Sequence, residues 1–417
     1  MRYETIQAKT LLSKPIYGDS WFHSNRSMNA YRGCEHGCVY CDGHCQYYRI
    51  DNFYNHIRIK ENAPKILRRE LERMKYRSQS KLQSSSLVRF LDKDDASRVI
   101  DQSPRKIIIG ISGGVSDAYQ PAEEQYKITR QVLETVLDFR MPVFVLTKSD
   151  LVLRDLDLLK EIHQHAFANV CFSITLHDEE TKTIFEPKSS ATWERFEALK
   201  QIRKAGLFGG VQAVPTIPGI GDTVENMQEL AKDAKKANAE YILFAGMTLK
   251  PGRQKEYFFN VVHHQMPEAY DLLQDIYANN HAYGHPILDR LPVNVMVQGY
   301  KICQQVGISD RSIRHMMPNE PEANVQVLNA LLDLTFYRSI TLGKPKRSWQ
   351  PYHELAIQIE KGVLNLAELQ KQGLLEKQLA ISPKMTHVIE EILQTGTCQA
   401  LTDIRKELDQ LAEKISI

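Results

Sequence analysis

Between residues 106 and 245 the sequence repeats one unit, a short apolar run followed by a helix-length stretch of mixed polarity. Residues 106–111, 143–147, 170–175, 210–214 and 241–245 read as strands, and residues 121–139, 153–165, 192–204 and 224–236 read as helices. Short apolar strands alternating with helices require a parallel sheet covered by helices. A further strand ahead of residue 34 brings the count to about six units. Pattern alone leaves an open doubly wound sheet and a barrel equally allowed. In a barrel, chemistry belongs on the loops at the carboxyl ends of the strands.

Upstream of the repeat stands Tyr31-Arg-Gly-Cys34-Glu-His-Gly-Cys38-Val-Tyr40-Cys41, three cysteines spaced C-x3-C-x2-C. Of seven cysteines in all, four fall between residues 34 and 45, which is metal or redox spacing rather than a disulfide framework. Thiolates suit iron–sulfur clusters and zinc. Zinc would recruit Cys45, His36 or His44 as a fourth ligand, and an electron-transfer cluster would recruit Cys45. Three thiolates on a four-iron cluster instead leave one iron open.

This spacing, with Tyr40 just before the third cysteine, resembles the radical S-adenosylmethionine (SAM) enzymes. Asn29-Ala-Tyr-Arg-Gly-Cys34 through Cys41-Asp-Gly, Ser116-Asp-Ala-Tyr-Gln-Pro-Ala-Glu123 and Leu146-Thr-Lys-Ser through Asp157 resemble more closely the spore photoproduct lyase-like branch, also labelled DNA-repair-photolyase-like. The likeness runs to about residue 260. It implies a partial (β/α)6 barrel whose lateral opening admits substrate. It also implies that Cys34, Cys38 and Cys41 hold a [4Fe-4S] cluster whose open iron binds SAM. Reductive cleavage of SAM would give a 5′-deoxyadenosyl radical for hydrogen abstraction, with a donor such as flavodoxin or ferredoxin supplying the electron.

By the same resemblance, SAM contacts are expected from Tyr40, Gly113 and Asp117 after the second strand, Lys148 and Ser149 after the third, Ser173 on the fourth, and Glu186 and Arg195 beyond it. The loop 214–222 is expected near adenine. Strand alternation independently puts Cys171, Ser173 and Thr175 on one face. Structural readings stand beside these: Asp117 as a turn cap, Lys148 paired with Asp150, Glu186 and Arg195 as salt-bridging groups, His177 as a site residue or a helix cap. The hydrogen-returning cysteine of the lyase aligns with neither Cys45 nor Cys171. The substrate expectation is therefore damaged DNA, or else a peptide or small molecule, with a binding or regulatory protein lacking turnover as a further class.

Composition is that of a globular protein, with 42% hydrophobic and 25% charged residues and a net charge of +2, so any field attracting nucleic acid must be local. One local concentration is the helix expected at residues 61–77, where Arg68, Arg69, Arg73 and Arg77, joined by Arg105 and Lys106, are a candidate track for a DNA backbone. The first residues lack a signal-peptide core and no run of about 18 apolar residues occurs, so a cytoplasmic chain without membrane contact is expected. The chain divides into a core at 1–260, with a surface insertion at 78–104, and a mostly helical extension at 261–417 whose helices are expected at 325–336, 352–364 and 386–415.

Overall fold

The computed structural model describes residues 1–83, 107–111, 114–362 and 364–415. Nine strands are named in it: β1 Arg2–Ile6, β2 Arg26–Met28, β3 Tyr31–Arg32, β4 His56–Lys60, β5 Ile109–Ile111, β6 Val143–Thr147, β7 Ala168–Ser173, β8 Val211–Thr216 and β9 Ile242–Gly246. Six form one parallel sheet in the order β2-β5-β6-β7-β8-β9. The short strand ahead of the cysteines is β2, so the six-unit (β/α) architecture holds. Helices Thr192–Lys204 and Val224–Lys236 occupy the expected positions.

The outer face of the sheet carries Val143, Val145, Val170, Phe172, Val211 and Ile242, buried in one core with the covering helices. Its inner face carries Ile108, Phe144, Cys171 and Leu243, and these share a second core with helices Glu322–Phe336, Gln350–Lys361, Pro383–Thr395 and Gln399–Glu413. The C-terminal helices thus fill the concave side of the partial barrel. The expected division at residue 260 falls inside helix Arg253–Gln265.

Between the sheet and these helices runs the segment 16–25. Glu360 accepts from Gly18 N at 2.7 Å and Asn25 Nδ2 at 3.0 Å, while Arg314 reaches the same carboxylate at 3.3 Å. Ser312 Oγ donates to Trp21 O at 2.8 Å, and Trp21 packs edge-on against Phe336.

Three differences from the sequence reading have local causes. A second sheet, β1-β4-β3, was not expected; its β1 and β4 pair across more than fifty residues, beyond any local pattern. The helix expected at 121–139 is broken at Lys127 (φ 51°), because the buried Glu123 carboxylate turns to receive Thr129 N at 2.9 Å and start a second helix. The helix expected at 386–415 is two, separated at Gly396 (φ 78°). Of the insertion expected at 78–104, residues 84–104 lie outside the described residues, and 79–83 form a short helix.

Candidate active site

The strand β3 runs directly into the cysteine loop. Gly33, at φ 88°, would place a Cβ 2.7 Å from Phe53 O and 2.9 Å from His56 O, so no larger residue fits there. Cys34 N donates to Phe53 O at 3.1 Å, Val39 N to Phe185 O at 2.8 Å, Tyr54 OH to Cys38 O at 2.7 Å and Gln254 Nε2 to Tyr40 O at 2.9 Å. The backbone of the loop is therefore held from three separate parts of the chain, residues 53–54, Phe185 and Gln254.

Cys34, Cys38 and Cys41 line one cavity of about 680 Å³ at the carboxyl ends of the six strands. Asp117, Thr147, Lys148, Ser173, Val214, Gly246 and Thr248 line it from the strands that follow. Burial, and after it the nearby Asp117 and the other two thiols, raises the Cys34 pKa well above the usual thiol range; burial pushes Cys41 up to about 11. Such thiols stay protonated at neutral pH unless a metal replaces the proton. Among the described residues no three His, Cys, Asp or Glu side chains converge as they would around a single metal ion. The three cysteines instead share the lining of one cavity.

Behind the thiols Glu186, fully buried, takes Lys148 Nζ at 2.8 Å, Arg195 Nη1 at 2.7 Å, Thr175 Oγ1 at 2.8 Å, Ser189 Oγ at 3.2 Å and the Tyr40 hydroxyl. Burial alone would raise its pKa; Lys148 and Arg195 outweigh burial and hold the carboxyl well below the usual range. Arg195 Nη1 also donates to Ser173 O at 2.7 Å, and Lys148 Nζ to Ser173 Oγ at 2.8 Å. Lys148 is thus paired with Glu186, while Asp150 is bonded to Ser190.

Asp117 receives Tyr119 N, Thr147 Oγ1 and Lys148 N at 2.7 to 2.8 Å, which ties the ends of β5 and β6 together. Burial opposes its ionisation, but His36 and these bonds bring its pKa below the usual range. His36 Nδ1 sits 3.1 Å from Lys188 O. Its Nε2 is buried without a hydrogen-bond partner, 3.4 Å from the Asp117 carboxylate, on a side chain that lines the cavity.

Other expected residues are placed differently. Ser149 Oγ accepts from Leu151 N and caps a 3-10 turn, and Ser149 is not among the cavity-lining residues. Gly113 lies outside the described residues. Cys171 is in the inner core, 3.0 Å from Tyr241 OH, where burial pushes its pKa up to about 12. Cys45 is fully buried and does not line the cavity. His177 pairs with Asp233 in a separate groove beside Asn226. Within the loop expected near adenine, Val214 and Pro215 face the cavity while Gly219 and Ile220 line that other groove.

Reading the sequence missed one wall of the cavity, formed by Ile16, Asp19, Trp21, Phe22, Ser24 and Ser27. The aromatic pair Trp21-Phe22 was visible in the sequence, but nothing local ties it to the cysteines. The basic helix also differs from expectation. It is Ala63–Arg73 on the outer side of the barrel, where Arg68 bonds Asp138 at 2.6 Å and lies 5.3 Å over the Phe139 ring, and Arg69 bonds Lys9 O at 3.0 Å. Arg105 and Lys106 lie outside the described residues.

Thiols grouped at the carboxyl ends of a partial (β/α)6 barrel define a class, the barrels that carry a cluster beside a ligand cavity. The family model of the radical SAM superfamily matches residues 28–234 of this chain. An uncharacterized protein of Methanocaldococcus jannaschii is 27% identical over 66% of this chain and 88% of its own length. One of Mycobacterium tuberculosis is 25% identical over 60% and 66% respectively. A structure of spore photoproduct lyase complexed with dinucleoside spore photoproduct is similar with a TM-score of 0.49 at 16% identity, covering 73% of this chain and 79% of that one. The cofactors that follow from the superfamily are a [4Fe-4S] cluster and SAM. The described residues fit them: three free thiols, two buried and that of Cys41 half-buried, a buried His36 nitrogen without a hydrogen bond, and a cavity within the size range of ligand sites.

Proposed function

We propose that this chain is a radical SAM enzyme that reductively cleaves SAM and abstracts a hydrogen atom from a substrate held against the Trp21 and Phe22 wall. The observation that carries this reading is the shared cavity, in which Cys34, Cys38 and Cys41 open onto the same space as Asp117, Lys148 and Ser173. Bound there, the two cofactors supply hydrogen-atom abstraction once an external donor provides an electron. Cys34, Cys38 and Cys41 would hold the cluster. Lys148 and Ser173 offer polar atoms to SAM, with Glu186 and Arg195 fixing their positions from behind, and Tyr40 is braced on the same carboxylate. Trp21, Phe22, Leu146 and Pro215 keep the cavity wall apolar and exclude water from the reacting centre. Seven free cysteines accord with a reducing, cytoplasmic setting, and among the described residues no helix is long and apolar enough to cross a membrane.

A damaged base in DNA is the substrate reading favoured by one feature, the aromatic wall, since stacking a base on such a ring contributes about 1–3 kcal/mol. The commitment of Arg68 and Arg69 to partners on the outer side of the barrel removes those two from a phosphate track and leaves an aromatic peptide or small molecule meeting the same wall. The deciding assay is anaerobic reconstitution with iron and sulfide, reduction with dithionite, and measurement of 5′-deoxyadenosine from SAM. Formation that is lost in Cys38→Ala supports the enzyme. SAM binding without any 5′-deoxyadenosine would make the chain a binding or regulatory protein.

A further inference from the structure

The second sheet has two unlike faces. Tyr31, Ile57 and Ile59 point into the main core. On the other face the register sets Arg32 opposite Arg58 and Glu4 beside Arg58, with Arg2 and Lys60 at the ends of their strands. Two like charges directly opposite each other destabilise a strand pair. Glu4 pairs with His56 Nε2 at 2.7 Å, and the bonds of the cations go to backbone carbonyls: Arg32 to Tyr48 O at 3.1 Å, Arg58 to Asp51 O at 3.4 Å and Lys60 to Asn29 O at 2.7 Å. Burial, and then Arg32, push Lys60 down to about 8. Arg49, exposed, follows Tyr48 at the rim of this face. Arg2, Arg32, Arg58 and Lys60 thus share this face with the single strand carboxylate Glu4, in a chain whose net charge is only +2.

This face lies behind the cysteine loop. Arg32 stands two residues before Cys34, and Cys34 packs in one small cluster with Ile50 and Phe53 from the segment whose carbonyls hold Arg32 and Arg58. None of Arg2, Arg32, Arg49, Arg58 and Lys60 lines the substrate cavity. An anionic partner seated on them therefore approaches the Cys34 segment without occupying the cavity.

We propose that this face docks an acidic one-electron carrier protein and that electrons enter at Cys34 through the Ile50 and Phe53 layer. The assignment rests on the radical SAM reading given above. One electron leaves the carrier, which is oxidised by one equivalent, and reduces the cluster by one; no bond is made or broken and no proton moves. A nucleic acid seated on the same cations would touch none of the residues that line the cavity. Charge complementarity acts on encounter rate and binding and is screened by salt.

The test uses a purified acidic flavodoxin as probe, with its binding to the full chain followed by calorimetry and its reduced form driving 5′-deoxyadenosine formation. The double variant Arg49→Glu with Arg58→Glu is expected to bind about 10-fold more weakly, to lose flavodoxin-driven turnover to a similar degree, and to keep its iron content and its dithionite-driven rate. Arg2→Glu with Arg49→Glu, both exposed positions, gives the same reading if the first variant folds poorly. Unchanged flavodoxin affinity in both variants would overturn the proposal, as would loss of binding to a short DNA duplex with flavodoxin binding intact. If dithionite yields no 5′-deoxyadenosine from the wild-type chain while the variants still lose flavodoxin affinity, the enzyme reading fails and the docking face stands.

Discussion

Glu186 concentrates the electrostatics of the site, since Lys148 and Arg195 both depend on one fully buried carboxylate. Removing it strands two cations, so Glu186→Ala is expected to destabilise the chain by about 3–5 kcal/mol, read as a lowered urea midpoint. The pH dependence follows from its depressed pKa. The stabilisation is fully present above the unfolded glutamate value of about 4.3 and is lost as pH falls through the lower folded value. Urea midpoints measured from pH 7 downward should therefore hold until about pH 4.3 and then fall, and Glu186→Gln should flatten that acid limb. For the metal, alanine at Cys34, Cys38 or Cys41 should abolish bound iron and acid-labile sulfide, whereas Cys45→Ala, outside the cavity, should retain both. At this scale the sequence was informative wherever chemistry depends on spacing. The three cysteines line one cavity, whereas Glu186 and Arg195, expected from resemblance as SAM contacts, are paired with each other behind it and do not line it. Ser149 shows the limit, because a serine after a strand caps a turn as readily as it faces a ligand.

Among the elements, β3 is only two residues long, yet it fixes the cysteine loop by pairing with β4. Gly33→Ala forces a left-handed backbone on a residue with a Cβ and drives that atom against two backbone carbonyls. A cost on the order of 1–3 kcal/mol is expected, with iron content after reconstitution falling below wild type; full iron loading in this variant would show that the loop can move. Strands such as β6 and β7 were legible because each is a mostly apolar run buried on both faces. The second sheet was not, since β1 is largely exposed and its partner β4 lies beyond the whole cysteine loop. Helix ends failed where a buried side chain decided them, as Glu123 does at Lys127.

On the scale of the molecule, the inner face of the sheet and the C-terminal helices form one core, so truncation after residue 260 would expose Phe144 and Leu243. The shortened chain is expected to be insoluble or to unfold without a cooperative transition by circular dichroism. A soluble, cooperatively folding fragment would show instead that the division at 260 separates independent units. The contact that links the two ends most directly is Gly18 to Glu360, across 342 positions of sequence. At ribosomal rates of about 5–20 residues per second, roughly 20–70 s separate the synthesis of these two residues. During that interval Trp21 and Phe22 have been made, but the helix that seats them has not. A nascent chain can therefore assemble its cysteine loop well before the Trp21 and Phe22 wall of the cavity, which is seated only once Glu360 has been made.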